Sequence, residues 1–127
     1  MRVQFYAAST PGLGHIYRTL ALALVMRDTH QVAVSTTGHA DEIRKRYIER
    51  SEFDGTSSWV VNDYSPENII WHKGKKVCNI GLTGDKKRDD LFPSADLEIC
   101  QGIPLTYETY DIWGFKYALL WPEIINL

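Results

Sequence analysis

RVQFYAASTPGLGHIYRTLALALVMRDTHQVAVS, residues 2–35, sets two unlike periodicities side by side. Val3 to Ala8 is a short apolar run with aromatic and β-branched content, bounded by Ser9, Thr10, Pro11 and Gly12, which predicts a buried strand. From Ile16 to Met26 the apolar residues Ile16, Leu20, Ala23 and Leu24 recur at helical spacing, Leu and Ala dominate, and Arg18 and Arg27 are free to point outward. A helix so apolar is expected to pack on a sheet. HQVAVSTTG, residues 30–38, predicts a second β-branched strand, and HADEIRKRYIERSE, residues 39–52, puts Ile43, Tyr47 and Ile48 on one stripe of a second helix with charges on the rest. Strand, helix, strand, helix within about fifty residues is most economically parallel, joined by right-handed crossovers. The expected fold class is therefore α/β: a single Rossmann-like domain with a mainly parallel sheet flanked by helices.

The second half is less regular. DGTSS, residues 54–58, is a turn-rich break, and WVVNDY, residues 59–64, predicts a third strand. NIIWHKGKKVCNIGL, residues 68–82, reads as two strands about a Lys73-Gly74 turn, a local β-hairpin added to the sheet. GDKKRDDLF (84–92) predicts a short charged helix and ADLEIC (95–100) a strand. LTYETYDIWGF (105–115) predicts a helix stopped near Gly114, and KYALLWP (116–122) a final strand ended by Pro122. The strands starting near Arg2, Gln31 and Ala95 are expected to be mutually parallel.

A chain of 127 residues fits one domain, residues 1–127, and leaves no room for two sizeable cores. The formal charge of −2 points away from a polyanion binder, so nucleic acid is not an expected partner. Cys78 and Cys100 form no CxxC pair and sit among apolar residues, as reduced buried thiols do. His30, His39 and His72 share no metal-ligand spacing with them, and neither a metal nor a cofactor is implied. Trp59, Trp71, Trp113 and Trp121, with seven tyrosines, supply either core or a stacking surface. The opening MRVQFYAAS lacks the apolar stretch of a signal peptide, and no run approaches the roughly 20 apolar residues of a membrane span. A cytoplasmic protein is expected.

The chemistry concentrates at STPGLGHIYR, residues 9–18. A strand, a glycine turn and a helix N-terminus are the parts of an anion or polar-ligand site. Gly12 and Gly14 allow close backbone approach, and the amides up to Ile16 point at the ligand. The dinucleotide fingerprint is not met, because Tyr17 stands where its third glycine belongs. Nor is the P-loop, because the chain reads Gly14-His15-Ile16 in place of Gly-Lys-Ser/Thr. His15 either takes a proton from a hydroxyl or donates to a carbonyl in the loop. Asp63, after the WVV strand, is the candidate acidic partner for it, since the carboxyl ends of parallel strands converge on one edge; the other reading leaves Asp63 in a turn.

PGLGHIYRTLALALVMRDTHQVAVSTTGHADEIRK, residues 11–45, resembles the N-terminal segment of GT-B glycosyltransferases. There a first strand runs into Gly-x-Gly-His, a helix rich in LALA and a second strand entered through a short polar turn. The resemblance covers residues 1–45. It implies that His15 faces the acceptor of a sugar-nucleotide-dependent transfer, in some members as general base. PSADLEICQGIPLTYETYDIWGFKYALLWPE, residues 93–123, is similar to the donor-side segment of the same enzymes, with Asp96, Gly102, Thr106, Gly114 and Pro122 in register. This second likeness implies ligand-binding roles for Gly102, Thr106 and Glu108. It departs from the pattern at Ile103, where glycine is usual, and at Thr109, where a ribose-gripping glutamate is usual, with Glu108 one residue out of step. A complete GT-B enzyme works between two domains, each larger than this chain. The resemblance therefore implies a protein that binds a sugar nucleotide or glycan and is completed as a transferase by a partner subunit or by a second copy in a homodimer. The alternative is a non-catalytic interaction or regulatory module that retains the fold.

Overall fold

Alternating β-branched runs and amphipathic helices pack as the periodicities require. The computed structural model describes residues 1–9, 13–63, 76–82, 85–92, 94–100 and 112–113. In chain order the elements are β1 (Arg2–Ala7), α1 (Gly14–Met26), β2 (Gln31–Ser35), α2 (Gly38–Lys45), β3 (Trp59–Asp63), β4 (Lys76–Leu82), α3 (Lys86–Asp89), β5 (Leu97–Cys100) and β6 (Ile112–Trp113). The six strands form one sheet in the order β2-β1-β3-β4-β5-β6, every pair parallel. The chain is a Rossmann-like α/β domain, with strands beginning at Arg2, Gln31 and Leu97 and helices at Gly14 and Gly38.

Alternation along β1 divides its side chains between two faces. Val3, Phe5 and Ala7 face α1 and form the core with Val34, Val61, Cys78 and Ile80 of neighbouring strands and Ile16, Leu20 and Ala23 of the helix. Burial of Phe5, Ile16 and Leu20 is complete. Each such side chain contributes about 1.5–3 kcal/mol by leaving water. Residues in register across parallel strands share a face, so the opposite face carries the row Ser35, Tyr6, Asn62, Asn79 and Glu98.

α1 ends at Arg27, whose N–H donates to the Ala23 carbonyl at 2.9 Å. A turn closed by Thr29 and His30 N–H on the Met26 carbonyl then feeds β2. Along α2, Ala40 and Ile43 join the core and Ile48 follows beyond the helix, whereas Tyr47 is exposed. Cys78 and Cys100 are buried and not joined in a disulfide.

Two sequence expectations meet a different structure. Ile112 and Trp113, expected in a helix, are extended and pair with Ile99 and Cys100. Their β-branched and aromatic character suits a strand, and the sheet edge at β5 supplies the pairing that local spacing does not show. β4, the expected second arm of a hairpin, lies inside the parallel sheet with β3 on one side and β5 on the other. The first arm and the Lys73-Gly74 turn fall outside the described residues, as do the final strand expected at 116–122 and most of the helix expected at 105–115. Among the described residues no helix is long and apolar enough to cross a membrane.

Candidate functional site

Strand order locates the site. β1 leads through α1 to β2 on one side of itself, and β3 lies on its other side, so the carboxyl ends of β1 and β3 flank a point where the winding reverses. In open parallel sheets the crevice outside such a point receives the ligand. Here the Ala8 N–H donates to the Asp63 carbonyl at 2.9 Å and ties the two strand ends together.

Asp63, the last residue of β3, turns toward α1 and is fully buried. His15 Nδ1 stands 2.8 Å from its Oδ1. Arg18 grips the same carboxylate with both arms of its fork, Nε donating to Oδ2 at 2.7 Å and Nη2 to Oδ1. The Thr19 hydroxyl donates to Oδ2 at 3.5 Å. His15, Arg18 and Thr19 stand on one face of α1, at the i, i+3 and i+4 positions that bring side chains together. Burial pushes the Asp63 carboxyl up, but hydrogen bonds from Arg18 and His15, together with their charge, outweigh it and hold the group below its usual 3.8.

Arg18 also fixes the imidazole's role. Its Nη2 lies 3.4 Å from His15 Nδ1, and both nitrogens share Asp63 Oδ1 as acceptor. The consistent neutral tautomer carries its proton on Nδ1 and donates it to Asp63, which leaves the Nε2 lone pair without a hydrogen-bond partner among the described residues. His15 retains 15% side-chain exposure beside the wholly enclosed carboxylate. A partly exposed ring oriented by a buried carboxylate, with its second nitrogen unpaired among the described residues, has the arrangement of a general base.

The amides of the loop complete the setting. Among the described residues no side chain caps the first turn of α1, no acidic residue lies in that turn, and the first helical bond is Tyr17 N–H to the Leu13 carbonyl, so the Gly14, His15 and Ile16 amides lie ahead of the helical ladder. A Cβ placed on Gly14 meets nothing within 4 Å. Thr37, the N-cap residue of α2, does not cap that helix with its side chain; its hydroxyl pairs with Ser9 at 2.9 Å across the ends of β1 and β2.

Of the residues singled out from sequence, the structure brings His15, Asp63, Gly14 and Ile16 to this one edge. Gly12, Gly102, Thr106 and Glu108 lie outside the described residues. Arg18, free by its spacing to point outward, turns in instead, because the buried Asp63 carboxylate needs more donors than His15 alone provides. Its position three residues beyond His15 is the signal that could have found it. Thr19 follows from the same helical arithmetic. Asp96, in register with the donor-side likeness, accepts from Val77 N–H at 2.7 Å, and its own N–H donates to the Val77 carbonyl, so it joins β5 to β4. Comparison of the chain with protein-family models, curated proteins and solved structures gives no match.

Proposed function

We propose that this protein is a glycosyltransferase-like domain that binds a sugar nucleotide or a glycan acceptor at the carboxyl edge of β1 and β3, with His15 as the acceptor-facing base. The observation that carries the reading is the 2.8 Å contact between His15 and the buried Asp63, which orients the ring through Nδ1 and leaves Nε2 for the acceptor. In the proposed step Nε2 takes the proton of an acceptor hydroxyl while its oxygen forms the bond to the anomeric carbon. The bond from that carbon to the departing nucleoside diphosphate breaks, and the leaving oxygen keeps the electron pair. The first turn of α1, which no side chain caps among the described residues, suits an anionic group of the ligand. The facing wall of the cleft would come from a partner subunit or a second copy of the chain.

The bidentate hold of Arg18 on Asp63 favours a second reading, in which the network only staples α1 to β3 and the domain is a non-catalytic interaction or regulatory module. Transfer from a sugar nucleotide, assayed with the wild-type chain and its co-purifying partner, separates the two. His15→Ala is expected to lower turnover at least about 10²-fold with donor binding nearly intact. Equal turnover in the folded variant removes His15 from the chemistry, and absence of transfer by the wild type favours the module.

A further inference from the structure

At the amino ends of β1 and β2, the edge opposite His15, an open cleft of about 420 Å³ is lined by Arg2, Arg27, Thr29, His30 and Gln31. Clefts of about 300–1,000 Å³ are the usual size for small ligands. β1 spans six residues, which puts this cleft about 20 Å from the site at its carboxyl end. Among the described residues no carboxylate lines it: Asp28 of the same turn does not, and Glu49 lines an adjoining cleft. Elsewhere in the fold Arg18, Arg44 and Arg88 each pair with a carboxylate. The two arginines of the cleft do not. Arg2 Nε donates to Gln31 Oε1 at 3.2 Å, and its guanidinium stands 5.4 Å from the centre of the Phe53 ring. Arg27 Nη1 donates to the Tyr47 carbonyl at 2.9 Å. These neutral partners fix both guanidiniums without cancelling their charge, and each keeps N–H groups unbonded among the described residues. The negative end of α1 lies close by, but its Met26 carbonyl is met by the Thr29 and His30 N–H groups within the turn.

We propose that this cleft binds the phosphate group of a small phosphate monoester, with Arg2 and Arg27 as its clamps. The inference goes beyond the transferase reading and does not depend on it. Two fixed cations lining one cleft repel each other, and a bound dianion relieves the repulsion. Arg2 alternates with the core residue Val3 and so lies on the face of the sheet away from α1, whereas Arg27 closes α1 on the other face. Donors therefore reach the cleft from two sides. A planar carboxylate is filled by one guanidinium fork, while a phosphate monoester presents three free oxygens and accepts from both arginines at once. The ester arm then has the remainder of the cleft, beside Thr29 and His30.

Calorimetric titration of the full chain at low salt, with glucose 6-phosphate, inorganic phosphate and glucose as separate probes, tests the site. The sugar phosphate is expected to bind, inorganic phosphate to bind more weakly, and glucose not to bind. Arg2→Gln and Arg27→Gln are each expected to weaken the sugar phosphate at least about tenfold, as the loss of one charge-assisted hydrogen bond does. A second measurement needs no variant. In the wild type the backbone amide resonances of Thr29, His30 and Gln31 are expected to shift on titration, and those of Gly14, His15 and Ile16 to stay in place. The opposite pattern puts the anion at the carboxyl edge and overturns the proposal, as do absence of binding and unchanged affinity in both variants. Equal affinity for inorganic phosphate makes this an inorganic-anion site and removes the ester, and equal affinity for glucose removes the phosphate. No arm measures transfer, so failure here and failure of the His15 chemistry are told apart.

Discussion

Asn62 and Asp63 are consecutive in β3, and both are more than nine-tenths buried, yet they face opposite sides of the sheet with opposite fortunes. On the α1 side the Asp63 carboxylate is surrounded by donors from His15, Arg18 and Thr19. On the other side the Asn62 carbonyl has none among the described residues. Where a buried polar group is saturated it fixes the fold, here by tying the start of α1 to the end of β3. Where it is short of a partner it weakens the fold. One edge of the sheet thus sets a saturated buried polar group beside an unsaturated one.

The sharpest way to break that contrast is to empty the saturated side. Asp63→Ala strands the Arg18 guanidinium and removes the acceptor for His15 and Thr19, and losing one partner of a buried pair typically costs about 3–5 kcal/mol. Urea denaturation is expected to show a loss of that order; a loss below about 1 kcal/mol would mean that Ile16 and Leu20 dock α1 unaided. The same carboxylate gives a pH signature. Because its folded pKa is depressed, its contribution is fully present above the unfolded value of 3.8 and lost as pH falls through the lower folded value. Asp63→Asn is expected to flatten the acid limb of the stability profile. Part of that limb is expected to remain, because Asp41 is also held low: burial pushes it up, and Arg44 and Lys45 outweigh the push.

A smaller effect divides the two cations that hold Asp63. His15→Ala leaves the bidentate Arg18 contact in place, so its cost should be near the net worth of one hydrogen bond, about 1 kcal/mol. Arg18→Met removes two donors and the charge, and is expected to cost clearly more by the same denaturation measurement. The reverse order would make His15 the structural member of the network and weaken its assignment as a base.

How much of this was legible in the sequence depends on whether the deciding contact is local. β1, α1, β2 and α2 follow from side-chain spacing within each segment, and the spacing of Ile16, Leu20 and Ala23 already names the buried stripe of α1. The approach of Asp63 to His15, 48 residues away in sequence, was still legible, because parallel strands bring their carboxyl ends to one edge whatever their separation. The inward turn of Arg18 was not legible, because outward is the ordinary direction for an arginine on an amphipathic helix, and only the depth of Asp63 reverses it. Ile112 and Trp113 were misread for a related reason: their strand exists through pairing with β5, and nothing in their own neighbours announces it. Asn62 carried no signal, since an asparagine near a strand end reads as the start of a turn, and its lack of partners is a property of the folded surroundings alone.

The smallest predicted change in stability should have the most specific effect on binding, and it concerns two glycines at the same edge. Gly38 opens α2 with φ of +60°, a left-handed conformation in which a side chain costs about 1–2 kcal/mol. Gly14 has no such constraint, and a methyl group there meets open space. Gly14→Ala should therefore leave the fold intact and gain a few tenths of a kcal/mol, up to about 0.5, from the better helix propensity of alanine. Gly38→Ala is expected to destabilise. If the space in front of Gly14 is where an anionic group meets the free amides of α1, the added methyl fills it from the protein side. Uridine diphosphate at 100 times its dissociation constant stabilises a one-site protein by about 2.7 kcal/mol, and thermal denaturation with this probe should show most of that gain in the wild type and in Gly38→Ala but not in Gly14→Ala. Equal stabilisation of all three would place any anion away from α1.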